Sequence, residues 1–133
     1  MPDAIFHLSF PVSSLRASLD FYERCLGARR GRATEGWVDV ILFGHQITLH
    51  ERPDQVLGRQ LRGVRHFGAI IGWDLVDALR RRIDAHEPRI EASIVHRDVG
   101  LPSEHVKLLL EDPDANLIEI KAYRDIRSVS EAP

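Results

Sequence analysis

Apolar and polar residues along this chain alternate with two different periods, one after the other. In residues 5–10, Phe6, Leu8 and Phe10 share one side and Ile5, His7 and Ser9 the other. A period of two predicts a strand, with Pro11 and Val12 expected to end it. From Ser13 or Ser14, either of which can cap a helix, Leu15, Leu19, Tyr22 and Leu26 recur at helical spacing. Gly27 is the expected stop. A short strand is predicted near 28–32. Strands over 37–43 and 45–51 follow, joined at Gly44 as a tight hairpin.

The polar stretch 52–63, with Pro53, Gly58 and Gly63, reads as a linker, and the same order then begins again. Residues 64–72 predict a strand. Asp74 is the expected cap of a helix carrying Leu75, Leu79 and Ile83, with Pro88 beyond its end. Strands are expected over 90–97, 105–111 and 116–123. The last two flank the turn Asp112-Pro113-Asp114-Ala115, and 98–104 is a loop. The residues after Tyr123 read as a polar tail prone to fraying. The chain is therefore an internal repeat of roughly 60 residues. The predicted fold class is α+β: two β-α-β-β-β modules, 1–63 and 64–133, forming one domain. Their curved mixed sheets enclose a metal-binding cavity, with the helices outside.

Parity selects the residues on the cavity face. His7 and Ser9 oppose the apolar side of the first strand, and His66 and Gly68 oppose Phe67 and Ala69. Glu119 and Lys121 oppose Ile118 and Ile120, and Thr48 and His50 oppose Ile47 and Leu49. His7 and His66 hold equivalent places in the repeat. With Glu119 they form a candidate two-histidine, one-carboxylate metal set that leaves about three positions open for substrate, water or O₂. The alternative is three separate polar residues on a solvated sheet face. Thr48 is the repeat counterpart of Glu119, so these strands offer three ligands rather than four. A register shift or bulge at His50 or Glu51 would supply a fourth. His50, His96, Lys121 and Tyr123 are candidate acids or bases, and Thr48, Ser9 and Gly68 candidate pocket residues. For each of these alone, a solvated strand residue is the simpler reading. His45 reads as a turn residue, His86 as a solvated helix end, Cys25 as an apolar filler and Arg80-Arg81-Arg82 as a solvated helix face.

Composition narrows the classes. The chain has 133 residues, 44% hydrophobic and 29% charged, with a formal net charge of −2. Near-neutral charge argues against nucleic-acid or membrane-surface partners, and no apolar run is long enough to span a membrane. A single cysteine and the absence of a signal-like start lead to the expectation of a cytoplasmic protein.

Several motifs now coincide: Phe6-His7-Leu8, the helix with Asp20-Phe21-Tyr22 and Leu26-Gly27, Trp37-Val38-Asp39, Phe43-Gly44-His45-Gln46 and His66-Phe67-Gly68. With Asp112-Pro113-Asp114-Ala115-Asn116-Leu117-Ile118-Glu119, the chain resembles the vicinal oxygen chelate superfamily over about residues 5–123. That superfamily includes glyoxalase I, extradiol dioxygenases, fosfomycin-resistance thiol transferases and bleomycin-binding proteins. Ala115 stands where glycine is usual. Within the superfamily, the chain looks most like small predicted extradiol-type dioxygenases. The resemblance places His7, His66 and Glu119 on the family's metal positions, and Thr48 where glyoxalase I carries an additional glutamate. It implies a divalent metal that binds two neighbouring oxygens of a small-molecule substrate, and a homodimer. Fe(II) suits ring cleavage of a catechol-like substrate. Mn(II) is a further choice, and Zn(II) or Ni(II) would point to lyase or isomerase chemistry. A lyase, isomerase or thiol transferase, and a metal-free binding protein, are the competing classes.

Overall fold

In the computed structural model of the protein, which describes residues 3–130 without the side chains of 91–93, eight strands form two four-stranded mixed sheets. The first contains β1 (His7–Val12), β2 (Arg29–Ala33), β3 (Trp37–Leu42) and β4 (His45–Glu51) in the order β1-β4-β3-β2. The second contains β5 (His66–Ile71), β6 (Ile90–Arg97), β7 (His105–Glu111) and β8 (Leu117–Tyr123) in the order β5-β8-β7-β6. The two orders are the same permutation. In each sheet the first strand runs parallel to the last, and the remaining pairs are antiparallel.

Register repeats as faithfully as order. His7, Leu8 and Ser9 pair with Gln46, Ile47 and Thr48. His66, Phe67 and Gly68 pair with Leu117, Ile118 and Glu119. Thr48 is therefore the counterpart of Glu119, and His50 of Lys121. Pro11 lies inside β1, opposite His50, rather than ending it. It is tolerated because β1 is an edge strand, where a missing N–H breaks no interior ladder.

One hydrophobic cluster runs through both halves. Val12, Val38, Val40 and Leu49 of the first sheet join Leu110, Ile118 and Ile120 of the second. Two helices cover this side. Helix α1 (Leu15–Asp20) continues into a π-helical turn, Phe21–Cys25, that buries Phe21, Tyr22 and Cys25. Ser14 caps α1 by accepting from the Ala17 N–H, and Gly27, at φ 77°, turns the chain out of it. Burial pushes the Cys25 thiol up to about 12, as expected for an inert filler. Helix α3 (Val76–His86) covers the second sheet and also touches the π-helical turn. A 3₁₀ turn, Trp73–Leu75, precedes it, and Asp74 makes no capping hydrogen bond. At the inner edges, Phe10 and Phe67 meet with ring centroids 5.5 Å apart. Neither sheet closes on itself.

Two segments are more structured than their composition suggests. Residues 52–63 contain a 3₁₀ turn, Pro53–Gln55, and the single-turn helix α2 (Arg59–Arg62). Arg59 forks onto buried Glu111 at 2.7 and 2.9 Å, and Arg62 and Arg89 reach the same carboxylate at 3.1 and 3.2 Å. Beyond β8, Arg124 bonds buried Glu104 at 2.7 Å, and Ser128 of a 3₁₀ turn, Ile126–Val129, bonds the Pro102 carbonyl. Residues 131–133 of the predicted tail lie outside the described residues.

The Arg59 hydrogen bonds, outweighing the opposing effect of burial and aided by Arg62, hold Glu111 at about 2. A carboxylate depressed in this way stabilises the fold above its unfolded value of about 4.3. The contribution is lost as pH falls toward the folded value. Glu111→Gln is expected to cost about 2–3 kcal/mol at neutral pH, below a fully buried pair because Arg59 and Arg89 are partly solvated. The deficit should shrink toward zero near pH 2. Urea unfolding across this range checks it, and equal stability at pH 7 would refute it.

Candidate metal centre

The site begins at the turn before β8. Asp112 is buried, and its Oδ1 accepts from the N–H groups of Asp114 at 2.9 Å and Asn116 at 2.8 Å. Its Oδ2 accepts from Asn116 Nδ2 at 2.8 Å and the Tyr22 hydroxyl at 2.7 Å. Burial raises the Asp112 pKa although all four donors pull it down, and burial also raises Tyr22. Ala115 adopts φ 65°, the conformation glycine would take more readily, while Arg62 holds its carbonyl at 2.6 Å. The turn therefore keeps its shape with alanine in place.

From that turn β8 presents Glu119 and Lys121 on the open face. Glu119 Oε2 lies 3.0 Å from His66 Nε2, and its Oε1 lies 3.3 Å from Lys121 Nζ. His66 Nδ1 is 2.7 Å from the Val64 carbonyl. A carbonyl only accepts, so Nδ1 carries the proton. In the neutral imidazole, Nε2 then presents a lone pair. Two lone-pair atoms facing each other at 3.0 Å repel unless a proton or a metal ion sits between them. An imidazole oriented through a backbone carbonyl beside a carboxylate is the donor chemistry of a divalent-metal site. On this test His66 and Glu119 fit a metal.

His7 is not with them. It is exposed on the open face of the other sheet, beside Ser9. Among the described residues, no three His, Cys, Asp or Glu side chains of one chain are grouped so as to hold a metal ion. Thr48 is buried and donates to Asp39 at 2.6 Å, and the same carboxylate receives Gln46 at 3.4 Å and Arg32 at 3.2 Å. Asp39, buried on this open face, was within reach of parity, since Val38 and Val40 both point to the helices. Glu51 accepts the Leu15 N–H at 2.8 Å at the start of α1, so it is occupied elsewhere. His50 shares the Thr48 face without entering the His66–Glu119 pair.

The pair lies in a cleft of about 480 Å³ lined also by Phe43, His45, Phe67, Gly68, Ile70 and Lys121. Phe43 comes from the β3–β4 turn, which strand parity does not reach, and His45, expected as a turn residue, is the first residue of β4, paired with Leu42. His45 Nδ1 accepts the Phe6 N–H at 3.0 Å. His96 is not on this wall. It pairs with Val106 on the helix side and lies against Trp73, 3.6 Å from Glu104. Tyr123 is on the open face beyond Lys121, stacked on His105 at 4.9 Å.

A family model described as the Glyoxalase/Bleomycin resistance protein/Dioxygenase superfamily matches residues 4–120. The chain is 26% identical over 124 residues to Virulence protein STM3117 of Salmonella typhimurium, covering 91% of this chain and 85% of that protein. It is similar to the crystal structure of a glyoxalase/bleomycin resistance protein/dioxygenase from Alicyclobacillus acidocaldarius, with TM-score 0.83 and 29% identity. That match covers 96% of this chain and 97% of the other. The fosfomycin resistance protein FosX of Listeria monocytogenes shares the fold at TM-score 0.73 and 20% identity, over 92% of this chain and 94% of its own.

Gly68 controls the spacing of the pair. A Cβ at this position would run into the Glu119 carbonyl on the paired strand. Gly68→Ala is therefore expected to part β5 from β8 at the site and cost about 1–3 kcal/mol. Chemical unfolding measures this. Wild-type stability in the variant would show that the strands are not held this close.

Proposed function

Because the chain belongs to the glyoxalase/bleomycin resistance protein/dioxygenase superfamily, we propose that it is a divalent-metal-dependent enzyme acting on a small molecule. The finer reading is extradiol-type ring cleavage of a catechol-like substrate with Fe(II). The observation that carries the metal reading is the His66 Nε2 to Glu119 Oε2 approach with Nδ1 committed to Val64. A bound divalent ion would supply Lewis acidity, holding two neighbouring substrate oxygens and stabilising negative charge on them.

The chain's own residues define the rest. His66 and Glu119 supply two ligands, and His7 is the third in this reading. Since His7 sits on the other sheet, we assign it to a second copy. In that pairing the open face of one copy's first sheet meets the open face of its partner's second sheet, giving two equivalent sites per homodimer. The Thr48 proton is engaged by Asp39, and Glu51 is tied to α1. No second carboxylate is then available from β4 as a fourth ligand, which favours ring cleavage over glyoxalase chemistry. A second reading, a lyase or thiol-transfer enzyme using Mn(II), Zn(II) or Ni(II), is favoured by the fold shared with the fosfomycin resistance protein FosX.

Anaerobic Fe(II) or Mn(II) loading, followed by metal analysis and light scattering, tests this reading. Wild type is expected to bind one ion per chain as a dimer, and Glu119→Ala to lose most of it while remaining folded. His7→Ala and His66→Ala should each lose metal, and mixing the two should restore part of it. Full occupancy in Glu119→Ala would refute the ligand set, and a metal-loaded monomer would refute the shared site. Catechol-dependent oxygen uptake is expected with Fe(II). Lactoylglutathione formation from methylglyoxal and glutathione is expected to be negligible, and robust formation with Ni(II) or Zn(II) would reverse the ranking.

A further inference from the structure

The cleft that holds His66 and Glu119 also holds an ammonium group. Lys121 is two residues beyond Glu119 on β8, which returns its side chain to the same face. Its Nζ is 3.3 Å from one carboxylate oxygen while His66 Nε2 is 3.0 Å from the other, so each oxygen has its own partner. Glu119 is the one carboxylate among the residues lining the cleft, and Phe43, Phe67 and Ile70 add only apolar surface.

A divalent ion seated against His66 Nε2 and Glu119 changes this balance. The ion's two positive charges and the lysine's one then share a single carboxylate, and ion and ammonium repel each other. Lysine carries a compact charge on a flexible stem, so Nζ can leave Glu119 and stay in the cleft. An incoming anionic oxygen would offset the excess positive charge. We propose that Lys121 exchanges Glu119 for an anionic oxygen of the substrate, so that the substrate class is a small organic oxyanion with an apolar body lying on Phe43, Phe67 and Ile70. This rests on the metal reading above and deepens it by naming what the cleft recognises.

The exchange predicts opposite effects of one substitution. With the lysine charge gone, Mn(II) should bind more tightly, because Glu119 loses a competitor and the ion a like charge. The anion should bind more weakly. Calorimetric titration of Mn(II), then of inorganic phosphate and phenylphosphonate into the Mn(II)-loaded protein, measures both. In Lys121→Met, Mn(II) affinity is expected to rise about threefold and affinity for both anions to fall about tenfold. Lys121→Arg should restore anion binding, and phenylphosphonate should bind wild type more tightly than phosphate does. Lys121→Gln repeats the test if the methionine variant does not fold. Unchanged anion affinity in the folded variant overturns the proposal, as does wild type that takes up Mn(II) but neither anion. A wild type that takes up no Mn(II) removes the metal reading itself, and this proposal with it.

Discussion

The carboxylate of Asp112 is the interaction on which the rest of the site depends. Buried charge is costly unless it is fully hydrogen-bonded. Asp112 meets that condition with two backbone N–H groups, the Asn116 amide and the Tyr22 hydroxyl. The first three bonds shape the turn that sets where β8 begins. The fourth ties that turn to the first module across 90 positions of sequence. A second tie, from the Ser13 N–H to Asp114 at 3.0 Å, joins the same two regions. With the start of β8 fixed, alternation alone delivers Glu119 to the open face, and its register against β5 delivers it to His66.

The two modules repeat in backbone and differ in charge. Glu119 and Thr48 hold the same ladder position, and each side chain has an acidic or basic partner across a strand. In the second sheet the carboxylate stands on β8 and turns to an imidazole. In the first it stands one strand farther in, on Asp39, where the second sheet has Leu109. Asp39 is satisfied by Thr48, Gln46 and Arg32 within its own sheet. The first sheet thus keeps His7 without a carboxylate beside it. Only the second sheet presents a carboxylate and an imidazole together at 3.0 Å. This asymmetry leaves His7 apart from the His66–Glu119 pair within one chain.

Much of the fold was legible in the chain because periodicity is local. Alternation at His7, His66 and Glu119 and the repeat of strand and helix lengths gave the strand count, the module order and the face each of these residues occupies. Equivalence of Thr48 with Glu119 was readable for the same reason. Asp39 carried a readable signal too, between two inward valines. The Glu111–Arg59–Arg62 network carried none, since its members lie about 50 positions apart and arginines in a polar stretch look like linker. Whether Phe43 and His45 line a cleft depends on where the β3–β4 turn folds. His96 stands on the helix side because it shares its face with Ile94, which packs on the core, a placement that alternation along β6 already indicated.

Tertiary structure alone decided the distances. The sequence determined that two histidines and a glutamate face away from the helices, because side-chain direction follows from strand alternation. It did not determine which of them meet. His66 and Glu119 are brought together by a parallel pairing that only Gly68 permits at that closeness. His7 is kept on a separate sheet because the two sheets share their apolar sides under one pair of helices, which turns their polar faces away from that shared core.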